Sequence, residues 1–338
     1  MIDDARKLTI HFGERDRAGD GFLADALVDV FARHGLATSL VMRGTTGFGA
    51  KQTLRTDRLL TLSEDLPLVA VAVDRRALIE AAREDVTALR FDGLVTTERA
   101  RLVAEGATPD ALTDALHEET KLTVYLGRHE TAGGRPAYEA VVEVLRRAGV
   151  AGATVLLGVD GTAHGVRHRA RFVGTNAGVP LMVISVGAGP RVAAALPELG
   201  ALLERPLMTV ERIRVCKRDG ARLADPRLDD AALHKLMVYA SEGTRVGGDP
   251  LHVALVRRLR SARAAGATSV RGIWGYHGDH APHGDRLLQL RRRVPVLTTI
   301  VDTPERMRPL FAVVDEITAA TGLVTSEAVP VGETRHAD

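Results

Sequence analysis

Cysteine is almost absent from this chain. Cys216 is the one cysteine in 338 residues, which excludes an internal disulfide and fits a reducing compartment. Aromatic residues make up only 4%, no long basic run occurs, and 45 Lys and Arg are offset by 43 Asp and Glu for a net charge of +2. That excludes the basic, base-stacking surface of a nucleic-acid binder. No apolar run approaches the roughly eighteen residues of a membrane span. Met1-Ile2-Asp3-Asp4 has neither a positive start nor an apolar core, so no signal peptide is expected, and the expected location is the cytoplasm. Nucleophile and metalloprotease signatures are missing too: no Gly-x-Ser-x-Gly and no His-Glu-x-x-His occurs. What remains, 45% apolar and 26% charged, is ordinary globular composition.

What the chain does have is a long internal period. Gly44-x-x-Gly47 returns as Gly158-x-x-Gly161 and as Gly272-x-x-Gly275, 114 residues apart both times. Lys7-Leu8-Thr9-Ile10 returns as Lys121-Leu122-Thr123-Val124 and Lys235-Leu236-Met237-Val238. Pro67, Pro180 and Pro295, and the closing segments at Glu98, Glu211 and Glu327, recur with a slip of one or two residues. A unit above a hundred residues is too long for a solenoid repeat of about 20–50 and large enough to be a domain. The expected domains are 1–104, 118–217 and 232–330, with the charged stretches near 102–119 and 217–232 as linkers and a disordered tail from Pro330.

Within one unit, Lys7 to Phe12 alternates as a strand. Phe22, Leu23, Ala26, Leu27, Val30 and Phe31 recur at helical spacing, closed by Gly35. Thr38 to Met42 is a second strand, Leu68 to Val73 a central two-sided one. A helix from Leu78 to Leu89 and a short strand at Leu94 to Thr97 complete the order βαββαβ. That order predicts an α+β fold: three tandem ferredoxin-like domains, whose open sheet faces cover one another as an intramolecular pseudo-trimer.

The stretch after the second strand carries most of the candidate chemistry. Arg43, Gly44, Gly47, Phe48, Gly49 and Lys51 read as a glycine turn whose backbone N–H groups could cradle an anion beside basic side chains. The equivalents are Gly158 and Gly161 in the second copy and Arg271, Gly272, Gly275 and Tyr276 in the third. It is no Walker motif, because from Gly44 the lysine comes one place late and Gln52 replaces Ser or Thr. Geometry alone could also explain the glycines. In the third copy His277, His280 and His283 with two aspartates could ligate a transition metal, though the spacing matches no metal motif and a solvated, hydrogen-bonded loop is the preferred reading. His11 alternates with apolar neighbours and reads as a packing residue, and Cys216 reads as a strand residue.

These residues carry a resemblance. Lys7-Leu8-Thr9-Ile10, Gly13-Glu14-Arg15-Asp16, Gly47-Phe48-Gly49-Ala50-Lys51 and Thr56 to Pro67 resemble the domain of unknown function 190 family. Arg271 to Gly278 and Asp285 to Leu288 resemble it again; the second copy departs from it at Thr162 and at Asn176 to Val179. The family looks PII-like, and the resemblance implies ligand clefts between fused units, with a nucleotide among the candidate ligands. Family members often neighbour a fluoride-exporting channel, which implies a membrane ion channel as partner. The expectation is therefore a non-enzymatic signalling or regulatory protein, monomeric, that binds an anionic small molecule and no nucleic acid. No cofactor is specified. The alternatives are an enzyme on the same scaffold acting on a phosphorylated or halogenated metabolite, and a metal-binding or metal-tolerance protein.

Overall fold

Alternation on the first strand decides which way the chain faces. In β1 (Ile2–Gly13), Leu8, Ile10 and Phe12 enter an apolar cluster on one side, while Lys7 and Thr9 are buried on the other. That is the period of two expected of a pleated strand with both faces covered. The cluster is roofed by α1 (Leu23–Arg33) and α2 (Arg76–Ala88). The stripe Leu23, Leu27 and Phe31 of α1 and the stripe Ile79, Ala82 and Val86 of α2 are buried. Both stripes have the three-to-four residue spacing of an amphipathic helix. The chain leaves α1 through Gly35 at φ +60, the left-handed step that glycine takes at little cost.

In this computed structural model the described residues are 2–57, 65–104, 118–163, 166–167, 169, 178–228, 231–277, 283–284 and 294–335. The first copy continues with β2 (Thr38–Phe48), β3 (Pro67–Arg75) and β4 (Gly93–Val103). The second copy holds β5 (Glu119–Gly127), α3 (Ala137–Arg147), β6 (Gly152–Leu157), β7 (Asp160–Ala163), β8 (Pro180–Ala188), α4 (Gly189–Leu202) and β9 (Leu207–Arg212). β10 (Arg214–Arg218) leads into the third copy: β11 (Leu233–Ser241), α5 (Leu251–Ser261), β12 (Ala267–His277), β13 (Pro295–Asp302), α6 (Pro304–Ile317), β14 (Leu323–Val329) and β15 (Val331–Arg335).

The expectation of three separate ferredoxin-like domains is corrected by the strand pairing. The strands, with four two-residue pieces, make one 19-stranded sheet. Pairing runs β1–β3–β2–β12–β6–β8–β5–β9–β4 and back to β1, an antiparallel barrel of nine strands closed on itself and accompanied by six helices among the described residues. No copy ends where its sequence repeat ends. Gly47 of β2 pairs with Thr268 of β12, Gly161 of β7 with Leu40 of β2, and Gly275 of β12 with Thr154 of β6. Each copy thus lends strand residues to the edge of another, which satisfies edge N–H and C=O groups that would otherwise stay unpaired.

The same exchange lengthens elements that read as short or absent in the sequence. β4 runs eleven residues: it pairs with β1 from Leu94 to Val103, and its far end, at Arg101 and Leu102, also pairs with Val210 and Thr209 of β9. Part of the second linker is β10, and residues 331–335 of the tail expected to be disordered form β15, zipped along β4 from Val331 opposite Thr97 to Arg335 opposite Gly93. The first linker falls mostly outside the described residues.

Three apolar clusters lie under the helix pairs. A fourth lies inside, with Leu40 and Val71 from the first copy, Tyr125 and Ile184 from the second, and Met237 and Leu297 from the third. This explains the unbroken apolar run of β3: Leu68, Ala70 and Ala72 face the helices, and Val69, Val71 and Val73 face the shared interior. No helix among the described residues is long and apolar enough to cross a membrane.

Candidate functional site: a cleft and a buried charge ring

Five of the six recurrent glycines sit within strands and not in a turn; Gly158 falls in the short break between β6 and β7. β2 continues unbroken through Gly44 and Gly47 to Phe48. A Cβ on Gly44 would stand 2.8 Å from Pro67 Cγ, one on Gly158 2.8 Å from the Pro180 carbonyl, and one on Gly272 2.9 Å from Pro295 Cγ. The glycine and proline recurrences in the sequence are therefore one contact made three times. A Cβ on Gly47 would lie 2.6 Å from the Ala267 carbonyl, and Gly161 and Gly275 abut Ser39 and Ala153 in the same way. Ser39, Ala153 and Ala267 are themselves equivalent positions of the repeat. Gly47 needs no left-handed backbone; it lacks room because another strand passes over it.

The remaining predicted residues divide. Arg43 is exposed and pairs with Glu14 at 2.9 Å, while Arg271 pairs with Glu242 at 2.7 Å. Phe48 and Tyr276, at equivalent positions, are core residues of a neighbouring copy, in the third and second clusters respectively. The Tyr276 hydroxyl donates to the Val150 carbonyl at 2.8 Å, and burial pushes its pKa up. His280 lies outside the described residues, as do the side chains of His277 and His283, so the metal-binding alternative rests on residues that are not described. Cys216 lies in β10, buried, its thiol pushed up to about 12 by burial.

Phe48, Gly49 and Lys51 do meet in one place, a cleft of about 360 Å³ where the first copy adjoins the third. Its first wall is the end of β1 at His11 to Gly13 and the loop from Gly49 to Arg55. The second is the segment Arg263 to Thr268 after α5, with Asp302 at the end of β13 and Arg306 in the first turn of α6. Thr334 and Arg335 of β15 close the side. The loop is tied across the junction: Gln52 Nε2 donates to the Ala264 carbonyl at 2.8 Å, and Arg260 Nε donates to the Gln52 carbonyl at 2.6 Å.

Five cationic side chains line this cleft against three carboxylates. Lys51 lies 2.6 Å from Asp92, Arg55 2.8 Å from Asp65, Arg306 3.5 Å from Asp302 and Arg335 2.6 Å from Glu333. The hydrogen bond to Asp92, and its charge, raise the pKa of Lys51. Burial raises Asp16 against the pull of the Gly13 N–H and of Arg55. Burial also lowers His11 to about 4, with Glu98 opposing and Lys235 assisting, so its imidazole is neutral near pH 7.

The second feature lies at the centre of the molecule, and nothing in the glycine reading pointed to it. Lys7 Nζ is 2.8 Å from Glu98 and 2.5 Å from Glu211. Lys121 is 3.0 Å from Glu211 and 2.6 Å from Glu327. Lys235 is 2.9 Å from Glu327 and 2.5 Å from Glu98. Every lysine bridges two glutamates and every glutamate two lysines, in a closed ring of six buried charges. Burial opposes each charge, but the lysines outweigh it, holding Glu98 well below the usual carboxylate range and Glu327 at about 2. The glutamates in turn hold Lys7 and Lys235 above their usual value against the same burial. Ligand atoms of the three carboxylates lie within 4.8 Å of one another, a spacing that could hold a metal ion. Three ammonium groups already neutralise them at hydrogen-bond distance, so the ring reads as a salt-bridged core. Its signal in the sequence was a lysine in the first strand and a glutamate in the last, in all three copies, both in otherwise apolar or Thr-rich strands.

Strand exchange, recurrent glycine–proline contacts and the ring together define a protein made of three interlocked copies of one unit of helices on antiparallel strands. The chain belongs to the domain of unknown function 190 family, described as "Uncharacterized ACR", whose profile matches residues 5–102, 119–215 and 233–331. Among solved structures, the chain is similar to an aspartate kinase from Synechocystis at 10% identity and a TM-score of 0.26, over 96% of this chain and 44% of that one. The chain thus spans less than half the length of that protein, and a score at that level shows no common fold.

Proposed function

We propose that the chain is a non-enzymatic regulatory protein that binds a small anion in the cleft between its first and third copies. The observation that supports this is the cleft itself: about 360 Å³ at a junction of two copies, with five cationic side chains in its wall. Ligand sites favour such concave junctions, with a few polar groups set in a mostly apolar wall. A ligand touching the Gly49–Arg55 loop and the start of α6 together would alter how the two copies hold each other, which is what a regulatory site requires. The family resemblance adds a nucleotide among the candidate ligands and a membrane ion channel, a fluoride exporter, as the regulated partner.

The reading is tested by a thermal-shift screen over nucleotides and small anions, fluoride included, followed by calorimetry on the wild type and Lys51→Ala. The expected result is a saturable upward shift for at least one anion and a several-fold weaker affinity in Lys51→Ala. The loss should shrink as salt rises, because Lys51 is exposed. No shift from any anion would refute the reading.

A further inference from the structure

Residues 35, 149 and 263 are equivalent positions, each the step by which the chain leaves the first helix of its copy. The first two are Gly35 at φ +60 and Gly149 at φ +71, while the third is Arg263 at φ +57. A left-handed backbone suits glycine and carries a steric cost for an arginine. The chain tolerates that cost in the copy whose helix end lines the cleft. Gln52, across the cleft, is likewise left-handed at φ +55. Among the described residues only three non-glycine positions have this conformation, and two of them line this one cavity. Backbone strain of this kind gathers at ligand sites, where surrounding contacts hold it. Here the contacts are evident: Arg306 donates to the Arg263 carbonyl, and Gln52 is pinned from both sides by Ala264 and Arg260.

Charge separates Arg263 from the other cations of the cleft. Lys51, Arg55, Arg306 and Arg335 each face a carboxylate. Among the described residues Arg263 has no carboxylate within salt-bridge distance, and it is an exposed residue of the cavity lining. An anion entering the cleft must compete with a carboxylate for each of the four paired cations but meets no such competitor at Arg263. A guanidinium also presents its donors as a planar fork, which gains most from two coplanar oxygens on one ligand and little from a monatomic ion.

Resting on the cleft reading above, we propose that Arg263 is the anchoring residue of this site and that the ligand is an oxyanion, a phosphate or carboxylate, and not a halide. The equivalent helix ends at Gly35 and Gly149 offer no side chain for the purpose. A rival role, an arginine complementing the C-terminal dipole of α5, concerns stability alone and leaves binding untouched.

The test is calorimetry of the full chain with inorganic pyrophosphate, citrate and sodium fluoride, alongside melting of the unliganded proteins. The expected result is one-to-one binding of pyrophosphate or citrate, weakened at least tenfold in Arg263→Gly and less in Arg263→Lys, which keeps the charge but loses the fork. Unliganded Arg263→Gly should melt no lower than the wild type, because glycine relieves the backbone. Wild-type oxyanion binding that survives in Arg263→Gly within threefold, yet falls in Lys51→Ala, would overturn the anchoring role and leave the cleft reading standing. A wild type that binds fluoride more tightly than either oxyanion would overturn the ligand class. A wild type that binds none of the three probes would overturn the cleft reading and this inference with it.

Discussion

Glu327→Gln is the most informative single change to the central ring, because it keeps the shape and removes one charge. Glu327 lies between Lys121 at 2.6 Å and Lys235 at 2.9 Å, and is nearly inaccessible to solvent. With glutamine there, three buried ammonium groups face two carboxylates. Removing one partner of a buried ion pair costs about 3–5 kcal/mol, since the surviving charge is left uncompensated. The closed ring adds a sharper expectation. Lys121→Met/Glu327→Gln removes two neighbouring members of opposite sign. What survives is the neutral, still alternating chain Glu211–Lys7–Glu98–Lys235, with contacts of 2.5 Å, 2.8 Å and 2.5 Å. The double variant should therefore be less destabilised than the two single variants summed, by at least about 2 kcal/mol, which is within the range seen for directly coupled residues. Urea unfolding followed by circular dichroism measures all three variants. A cost for Glu327→Gln within about 0.5 kcal/mol of zero, the usual surface value, would refute the argument that the ring is dry. Strict additivity would refute the argument that its members are coupled.

Three further expectations accompany it. Glu98 and Glu327 have folded pKa values below their unfolded ones, so their contribution is complete above about pH 4.5 and is lost as pH falls toward 2, while Lys7 and Lys235, raised, lose theirs only as pH rises past their ordinary value of 10.5. Burial holds Lys121 below its ordinary value, so stability attributable to the ring should be flat from about pH 5 up to the point where Lys121 begins to lose its proton, and acid unfolding of the wild type should be blunted in the double variant. Gly47→Ala would place a methyl 2.6 Å from the Ala267 carbonyl and force β2 away from β12; we expect a loss of about 1–3 kcal/mol, the usual cost of overpacking, read as a lower urea midpoint. Because the barrel closes within one chain, the protein should scatter light as a monomer, and a stable trimer of chains would contradict that expectation.

The period of 114, the helix and strand types and the two-sided character of β3 were all legible in the sequence. Each depends on residues a few positions apart: alternation, helical spacing, a glycine behind a helix. Two features near the site were legible as well, the recurrence of Gly44 and its equivalents and the basic residues around Lys51. What the recurrence meant was not. Gly44 and Gly47 look like a turn because glycine suits a turn, yet they are small because β12, more than two hundred residues away, crosses over them. The extent of β4 and the existence of β15 were hidden for the same reason. A strand's edge carries no local mark of which distant edge will cover it.

The ring shows the division most clearly. Sequence alone placed a lysine in the first strand of every copy and a glutamate in its recurring closing segment. Only the tertiary structure decided that each lysine would sit between the glutamates of two different copies. A buried charge acquires its partner through whatever the fold brings within about 3 Å, and here every ion pair that completes the ring between copies joins residues more than a hundred positions apart.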